Sequence, residues 1–259
     1  MTAPALSLQD RRLLITGAAR GLGEAFARAC VRSGARVVIA DLEAQRGAAL
    51  ANELAAEFVG AAHFVAMDVA NRDSVNAGVA DAARWLGGLD GLINNAAITN
   101  SGGKMMNEME EEMFDRVMQV NIKGVWLVTT AAHPHLKEAA SCGGAASVLN
   151  IASDTALWGA PRLIAYVASK GAVISMTRSM AREMGADGIS VNAIAPGLVV
   201  GESTQYVPQA RHDQYRQGRA IQREQQPNDC TDAALFLLSS GAGFVTGQVL
   251  PVNGGYVMN

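Results

Sequence analysis

Apolar residues fall in short runs separated by longer stretches of mixed character, and this alternation holds from one end of the chain to the other. Residues 12–16 read as a strand, and 22–33 as a helix that ends at Gly34. Further strands are predicted at 36–40, 63–67, 89–93, 147–151, 189–194 and 248–252. Between them the pattern predicts an Ala/Glu-rich helix to about residue 59, then helices at 73–86, 110–137, 164–184 and 229–238. The 110–137 helix is expected to bend near Gly124 and to break at Pro134.

Repeated β-α units of this length imply an α/β fold: a doubly wound, Rossmann-like parallel sheet with helices on both faces. The strands are mostly apolar, as burial on both sides requires. No Pro/Ser-rich linker divides the chain, so residues 1–259 are read as one domain. One connection, 196–226, is long, polar and tyrosine-bearing. Connections of that length are usually functional or mobile, and 198–218 reads as a substrate lid.

Composition narrows the function. In 259 residues, 49% are hydrophobic and 17% charged, enough for a large core and too apolar for disorder. The formal charge is −3 and no basic stripe is present, which argues against nucleic acid or an anionic membrane as a partner. No apolar run approaches the ~18 residues of a membrane span, and residues 1–10 lack the pattern of a secretory leader. Cys30, Cys142 and Cys230 stand apart without metal spacing, as free thiols do in a reducing cytoplasm. His133 and His135 have no carboxylate or cysteine at ligand spacing, so no metal site is expected.

The candidate chemistry starts at the first β-α unit. Thr16-Gly17-Ala18-Ala19-Arg20-Gly21-Leu22-Gly23 runs from strand into helix. Glycines there let a diphosphate approach the backbone, and the helix start offers unpaired N–H groups and positive dipole. The spacing is Gly-x-x-x-Gly-x-Gly rather than Gly-x-Gly-x-x-Gly. Asp41 closes the second strand, where a carboxylate can bind both adenosine ribose hydroxyls and repel a 2′-phosphate. That favours NAD. Arg20 pulls towards NADP, because its guanidinium could meet that phosphate. Asp41 is weighed more heavily, since close like charges cost more than a mobile arginine gains.

Tyr166 and Lys170 lie four residues apart on a predicted helix and share one face. A free tyrosine titrates near ~10, and a fixed positive charge beside it favours the phenolate. Ser153, thirteen residues upstream, could hold a carbonyl oxygen next to it. Tyr-x-x-x-Lys alone is common on helices, where Tyr packs and Lys snorkels; only the conjunction with the loop and Asp41 carries weight.

Taken together, these residues resemble the short-chain dehydrogenase/reductase family over essentially the whole chain. Gly17, Gly21 and Gly23 look like its cofactor loop, with Arg20 and Leu22 between them, and Asp68-Val69 like its adenine contact. Asn94-Asn95-Ala96-Ala97 is similar to the family's Asn-Asn-Ala-Gly stretch, with alanine in place of the last glycine. Asn121, Ser153, Tyr166 and Lys170 fit its active-site asparagine, serine, tyrosine and lysine. Pro196-Gly197, with Val199, resembles the turn beside the nicotinamide. Gly201 departs from the family pattern, standing where many members carry a threonine, and Ser203 or Thr204 is expected to substitute.

The resemblance implies metal-free hydride transfer between a secondary alcohol and its ketone, with NAD preferred and NADP possible. Tyr166 would exchange the proton, Lys170 would lower its pKa and bind the nicotinamide ribose, Ser153 would hold the substrate oxygen, and Asn121 would anchor a water. It also implies a homotetramer formed through the helices at 110–137 and 164–184. Segments 98–106, 154–163 and 198–218 should surround the nicotinamide. Met105, Met106, Leu157, Trp158, Leu163, Tyr206 and Tyr215 would make an apolar pocket for a cyclic or aromatic alcohol, and Arg162 or Arg211 could read a carboxylate. Three other readings stay open: an NADP-dependent ketone or 3-oxoacyl reductase, a non-catalytic dinucleotide sensor or scaffold, and a sugar-nucleotide epimerase or dehydratase.

Overall fold

The computed structural model describes residues 7–101 and 103–258, so the leader-peptide expectation falls mostly on residues outside it. The chain runs β1 (Arg12–Thr16), α1 (Gly21–Arg32), β2 (Arg36–Asp41), α2 (Ala44–Glu57), β3 (Ala62–Ala66), α3 (Arg72–Leu86) and β4 (Gly91–Asn94). It continues with α4 (Glu111–Met118), α5 (Gly124–Ser141), β5 (Ala146–Ile151), α6 (Thr155–Trp158), α7 (Ile164–Met184), β6 (Ile189–Pro196), α8 (Gln209–Gly218), α9 (Asn228–Leu238) and β7 (Val249–Val252). The seven strands form one parallel sheet in the order β3-β2-β1-β4-β5-β6-β7.

Period-two alternation splits the strands between two cores. Leu13, Ile15, Val37 and Ile39 face one way, onto Phe26 of α1, Leu54 of α2 and Leu237 of α9. Leu14, Val38, Leu92 and Val148 face the other, onto Val79 of α3 and Leu136 of α5. Helix α1 shows why the loop before it is held firmly. Gly23, Phe26, Ala27, Cys30 and Val31 recur at helical spacing and are all buried. The strand order reverses between β1 and β4, so the loops leaving those strands diverge and open a crevice at the carboxyl edge of the sheet.

Two regions differ from expectation. The predicted 110–137 helix is α4, a π turn over Gln119–Lys123 closed by Gly124 N–H to the Gln119 carbonyl, and then α5. Pro134 does not break it. Its missing N–H costs one rung, but Ala132 and Leu136 beside it are fully buried and hold the helix to the sheet as far as Ser141. The 196–226 connection is also more ordered than its composition suggested: β6 runs on to Pro196, and a short 3-10 turn and α8 follow.

Candidate active site

The crevice is a cleft of about 610 Å³. Every catalytic and cofactor residue predicted from the sequence lines it except Asn121, which lies behind its wall. At one end the β1–α1 turn is packed too closely for any side chain. A Cβ on Gly17 would come within 2.6 Å of Ala96 Cα, with φ at +61°, and one on Gly23 within 2.2 Å of the Gly17 carbonyl. Asn95 holds the turn from β4, its amide donating to the carbonyls of Thr16 (3.0 Å) and Gly17 (2.8 Å). Arg20 occupies the N-cap of α1 without a capping side-chain bond, so the helix start faces the cleft with donors to spare.

Asp41 braces the same turn. One carboxylate oxygen accepts the Ala19 N–H at 2.9 Å and the other the Glu43 N–H at 3.0 Å. Arg20 is not a free guanidinium: it pairs with Glu43 (2.9 Å) and with Glu202 (3.1 Å) from the β6–α9 connection. Arg46 joins the same group, 2.6 Å from Glu202. Glu43 and Glu202 carried no motif in the sequence, and only the fold brings them to Arg20. Asp68 reaches the cleft with one oxygen accepting the Ala70 N–H, a strand-end turn bond.

At the other end Ser153, Tyr166 and Lys170 converge. Ser153 follows β5, Tyr166 and Lys170 lie on one face of α7, and the Ser153 hydroxyl hydrogen-bonds the phenol. Thr155 donates to Ser153 Oγ at 2.9 Å and fixes that hydroxyl's position. Lys170 is 3% exposed; its Nζ donates to the Ile151 carbonyl at 2.7 Å and lies 5.7 Å from the centre of the Tyr166 ring. Burial, which disfavours charge, brings the ammonium down to about 8.

The phenol runs against the expectation that Lys170 would draw it down. Burial raises it above the ordinary tyrosine value, and the Ser153 hydrogen bond only partly opposes this. The reason is distance: the ammonium is turned to the Ile151 carbonyl rather than to the phenolic oxygen. Asn121 also differs in detail. It sits in the π turn with its amide oxygen on the Ile98 N–H (2.8 Å) and its amide nitrogen on the Ile98 carbonyl and Ser169 Oγ (both 3.0 Å). Both donors are used, so the side chain clamps the β4 loop rather than presenting a free amide to water.

The predicted pocket wall is the largest correction. Of the seven apolar and aromatic residues named for it, only Tyr206 lines the cleft. Met105 and Met106 are 47% and 74% exposed, Leu157 packs on the β5–β6 side, and Trp158 and Tyr215 cluster with Tyr256. No residue of 154–163 reaches the cleft, Arg162 included, and Arg211 stacks over Trp158 instead. The wall is formed by Thr99, Asn100, Val200 and Tyr206. Ser203 also faces it, whereas the Thr204 hydroxyl is turned to the Val199 carbonyl at 2.8 Å.

Comparison with known proteins bears on this geometry. A family model described as enoyl-(acyl carrier protein) reductase matches residues 17–257. A probable galactose dehydrogenase of Rhizobium meliloti is 31% identical over 250 residues, covering 96% of this chain and 95% of that protein. The chain belongs to the short-chain dehydrogenase/reductase family. Two solved members superpose closely. A 3-ketoacyl-(acyl-carrier-protein) reductase from Brucella melitensis, complexed with NADH, has a TM-score of 0.89 at 35% identity, covering 97% of this chain and 100% of that one. A gluconate 5-dehydrogenase from Burkholderia cenocepacia, in complex with NADP and tartrate, has a TM-score of 0.90 at 32% identity, covering 97% of each chain. The protein is thus an NAD(P)-dependent oxidoreductase of this family, acting on an alcohol or ketone. Among the described residues no helix is long and apolar enough to cross a membrane, and no cluster of three or more His, Cys, Asp or Glu side chains is placed to hold a metal.

Proposed function

We propose that the protein is an NAD-dependent dehydrogenase that interconverts a secondary alcohol and its ketone, with Tyr166 as general acid and base. One observation carries the reading: Ser153, Tyr166 and Lys170 share a single cleft with the glycine turn and Asp41. The tight Gly17–Gly23 turn, the uncapped start of α1 with its spare N–H donors and Asp41 fit a dinucleotide, because such donors suit a diphosphate and a carboxylate suits ribose hydroxyls. When bound, the nicotinamide supplies hydride transfer and, oxidised, a positive ring charge.

The chain's own residues do the rest. Ser153 Oγ holds the substrate oxygen beside the phenol, where charge develops during the reaction. Tyr166 Oη gives a proton to that oxygen in reduction and takes one in oxidation. Burial lowers the ammonium to about 8 and raises the phenol, so below that pH Lys170 is charged beside a protonated Tyr166. That charge, with the positive ring of oxidised nicotinamide when bound, would favour the phenolate formed as the proton moves. Asp41 favours NAD, and the pairing of Arg20 with Glu43 and Glu202 supports this by withholding a guanidinium from a 2′-phosphate.

In the same reading 1–259 is one domain, 198–218 is a lid, Asn121 steadies the β4 loop beside a proton path, and the protein works in the cytoplasm as a homotetramer built on α4–α5 and α7. Tyr206 supports a cyclic or aromatic substrate. The test follows reduced-nicotinamide absorbance over cyclic, aromatic and sugar alcohols and 3-oxoacyl thioesters, each with both cofactors. NAD is expected to outperform NADP by about tenfold or more in kcat/KM. Equal or better turnover with NADP overturns the cofactor assignment.

A further inference from the structure

Asp154, the residue after Ser153, belongs to none of the machinery above, yet it is completely buried. Its backbone is pinned on both sides: its N–H donates to the Pro196 carbonyl at 2.9 Å, and its carbonyl accepts the Leu157 N–H at 2.8 Å. Its side chain reaches across to the β6–α9 connection. Tyr215, 3% exposed on α8, donates its hydroxyl to Asp154 Oδ1 at 2.8 Å and accepts the Trp158 indole N–H at 3.2 Å.

The surroundings make this a built contact. The Tyr215 ring stacks on Tyr256 with centroids 4.3 Å apart, and Trp158 meets both rings edge-on. Arg219, 4% exposed, lies 5.2 Å over the Tyr215 ring and donates to the carbonyls of Leu198 (2.8 Å) and Asn253 (3.1 Å). Gly197, at the nicotinamide turn, has no room for a side chain, because Asp154 Oδ2, Gln225 Oε1 and an Arg219 nitrogen all lie within 3.1 Å of where its Cβ would be. A buried carboxylate is costly, and burial lifts Asp154 to about 6. Tyr215 and the charge of Arg219, both on the connection, help to offset that cost.

We propose that Asp154 is a positioning residue: through Tyr215 it seats helix α8 on the loop that carries Ser153, so the lid closes in register with the catalytic hydroxyl. The inference rests on the reading of 198–218 as a lid. Among the contacts that hold the connection, Asp154–Tyr215 and Arg219–Asn253 are buried. The Glu202 ion pairs and the Thr99 hydroxyl contact with the Ser203 carbonyl (3.4 Å) are exposed or long.

The test compares Tyr215→Phe, which keeps the stacked ring and loses the hydroxyl, with Asp154→Ala and Asp154→Asn. Protease nicking within 198–218 is measured with NADH present, beside steady-state kinetics. For Tyr215→Phe and Asp154→Ala, nicking should speed up and KM for the alcohol should rise, each about tenfold, with kcat changed less than about threefold. Asp154→Asn keeps the acceptor oxygen and should restore both to within about threefold of the parent. Unchanged nicking, or unchanged KM in an enzyme that turns over, overturns the proposal; a parallel loss of kcat and Tm in all three variants reduces Asp154 to a stability residue and overturns it too. A parent enzyme inert on every alcohol would instead fail the functional reading, and nicking would still decide whether Asp154 seats the lid.

Discussion

The two ends of the cleft are built on different principles. At the β1–α1 turn the work is done by main chain: Gly17 and Gly23 admit no Cβ, Asn95 and Asp41 bond backbone groups, and the partners are strands in one sheet. Along the β6–α9 connection it is done by side chains, with Glu202 paired to Arg20 and Arg46, and Tyr215 and Arg219 folded onto Asp154 and Leu198. A backbone cradle tolerates almost no substitution, whereas a side-chain network can be rebuilt with other residues. The first suits a cofactor that many relatives share, and the second a substrate that differs among them. Ser153, Tyr166 and Lys170 sit where the two meet.

Substitution in the cradle should show the contrast most sharply. Gly23→Ala places a methyl 2.2 Å from the Gly17 carbonyl and 2.5 Å from the Asn95 amide, so the turn must open. NADH affinity should fall by about a hundredfold or more in a fluorescence titration. An affinity within threefold of the parent would mean that the turn does not cradle the cofactor. At the meeting point the ammonium loses its charge at about 8, so turnover that depends on the Lys170 charge should fall above a midpoint near that value. The fall is expected in both directions, and flat profiles would remove the Lys170 charge from the rate.

Lys170 also separates function from stability. Its folded pKa lies below the ordinary lysine value, so the native state resists the charge that the unfolded chain carries. The penalty is full below about 8, and stability from this group rises with pH between about 8 and the ordinary lysine value of 10.5. Lys170→Met should therefore lose turnover yet gain roughly 1–3 kcal/mol of unfolding free energy at neutral pH, less the cost of leaving the Ile151 carbonyl unbonded. Denaturant melts would show it, and a destabilised variant would contradict the assignment. The smallest effect belongs to the connection. Glu202→Gln frees Arg20 and Arg46 of one charge partner, and should raise kcat/KM with NADP about two- to fivefold while leaving NAD within twofold.

The same contrast decides what could be read from the sequence. The parallel sheet and the cofactor end were legible because burial on both faces demands apolar runs, and because the Gly17–Gly23 turn demands glycines at fixed positions; the strand order was not. Tyr166 and Lys170 were legible through helical spacing together with Ser153. The π turn at Asn121 was not, since an extra residue in a helical turn leaves no periodic mark. The pocket wall was misread for a related reason: Trp158 and Tyr215 look like wall residues in their own segments, but they bond each other across 57 positions of chain. Arg20 seemed free because Glu202, 182 positions away, has no local signature. Side-chain networks of that kind are created by the fold and cannot be counted from spacing.

The central claim is that Tyr166 moves the proton in a cleft whose other end binds the dinucleotide independently. Tyr166→Phe tests it most directly, with turnover and NADH binding measured on the same preparation. Turnover should fall by about a thousandfold or more while the NADH dissociation constant stays within about threefold of the parent. Turnover near the parent's rate would contradict the account.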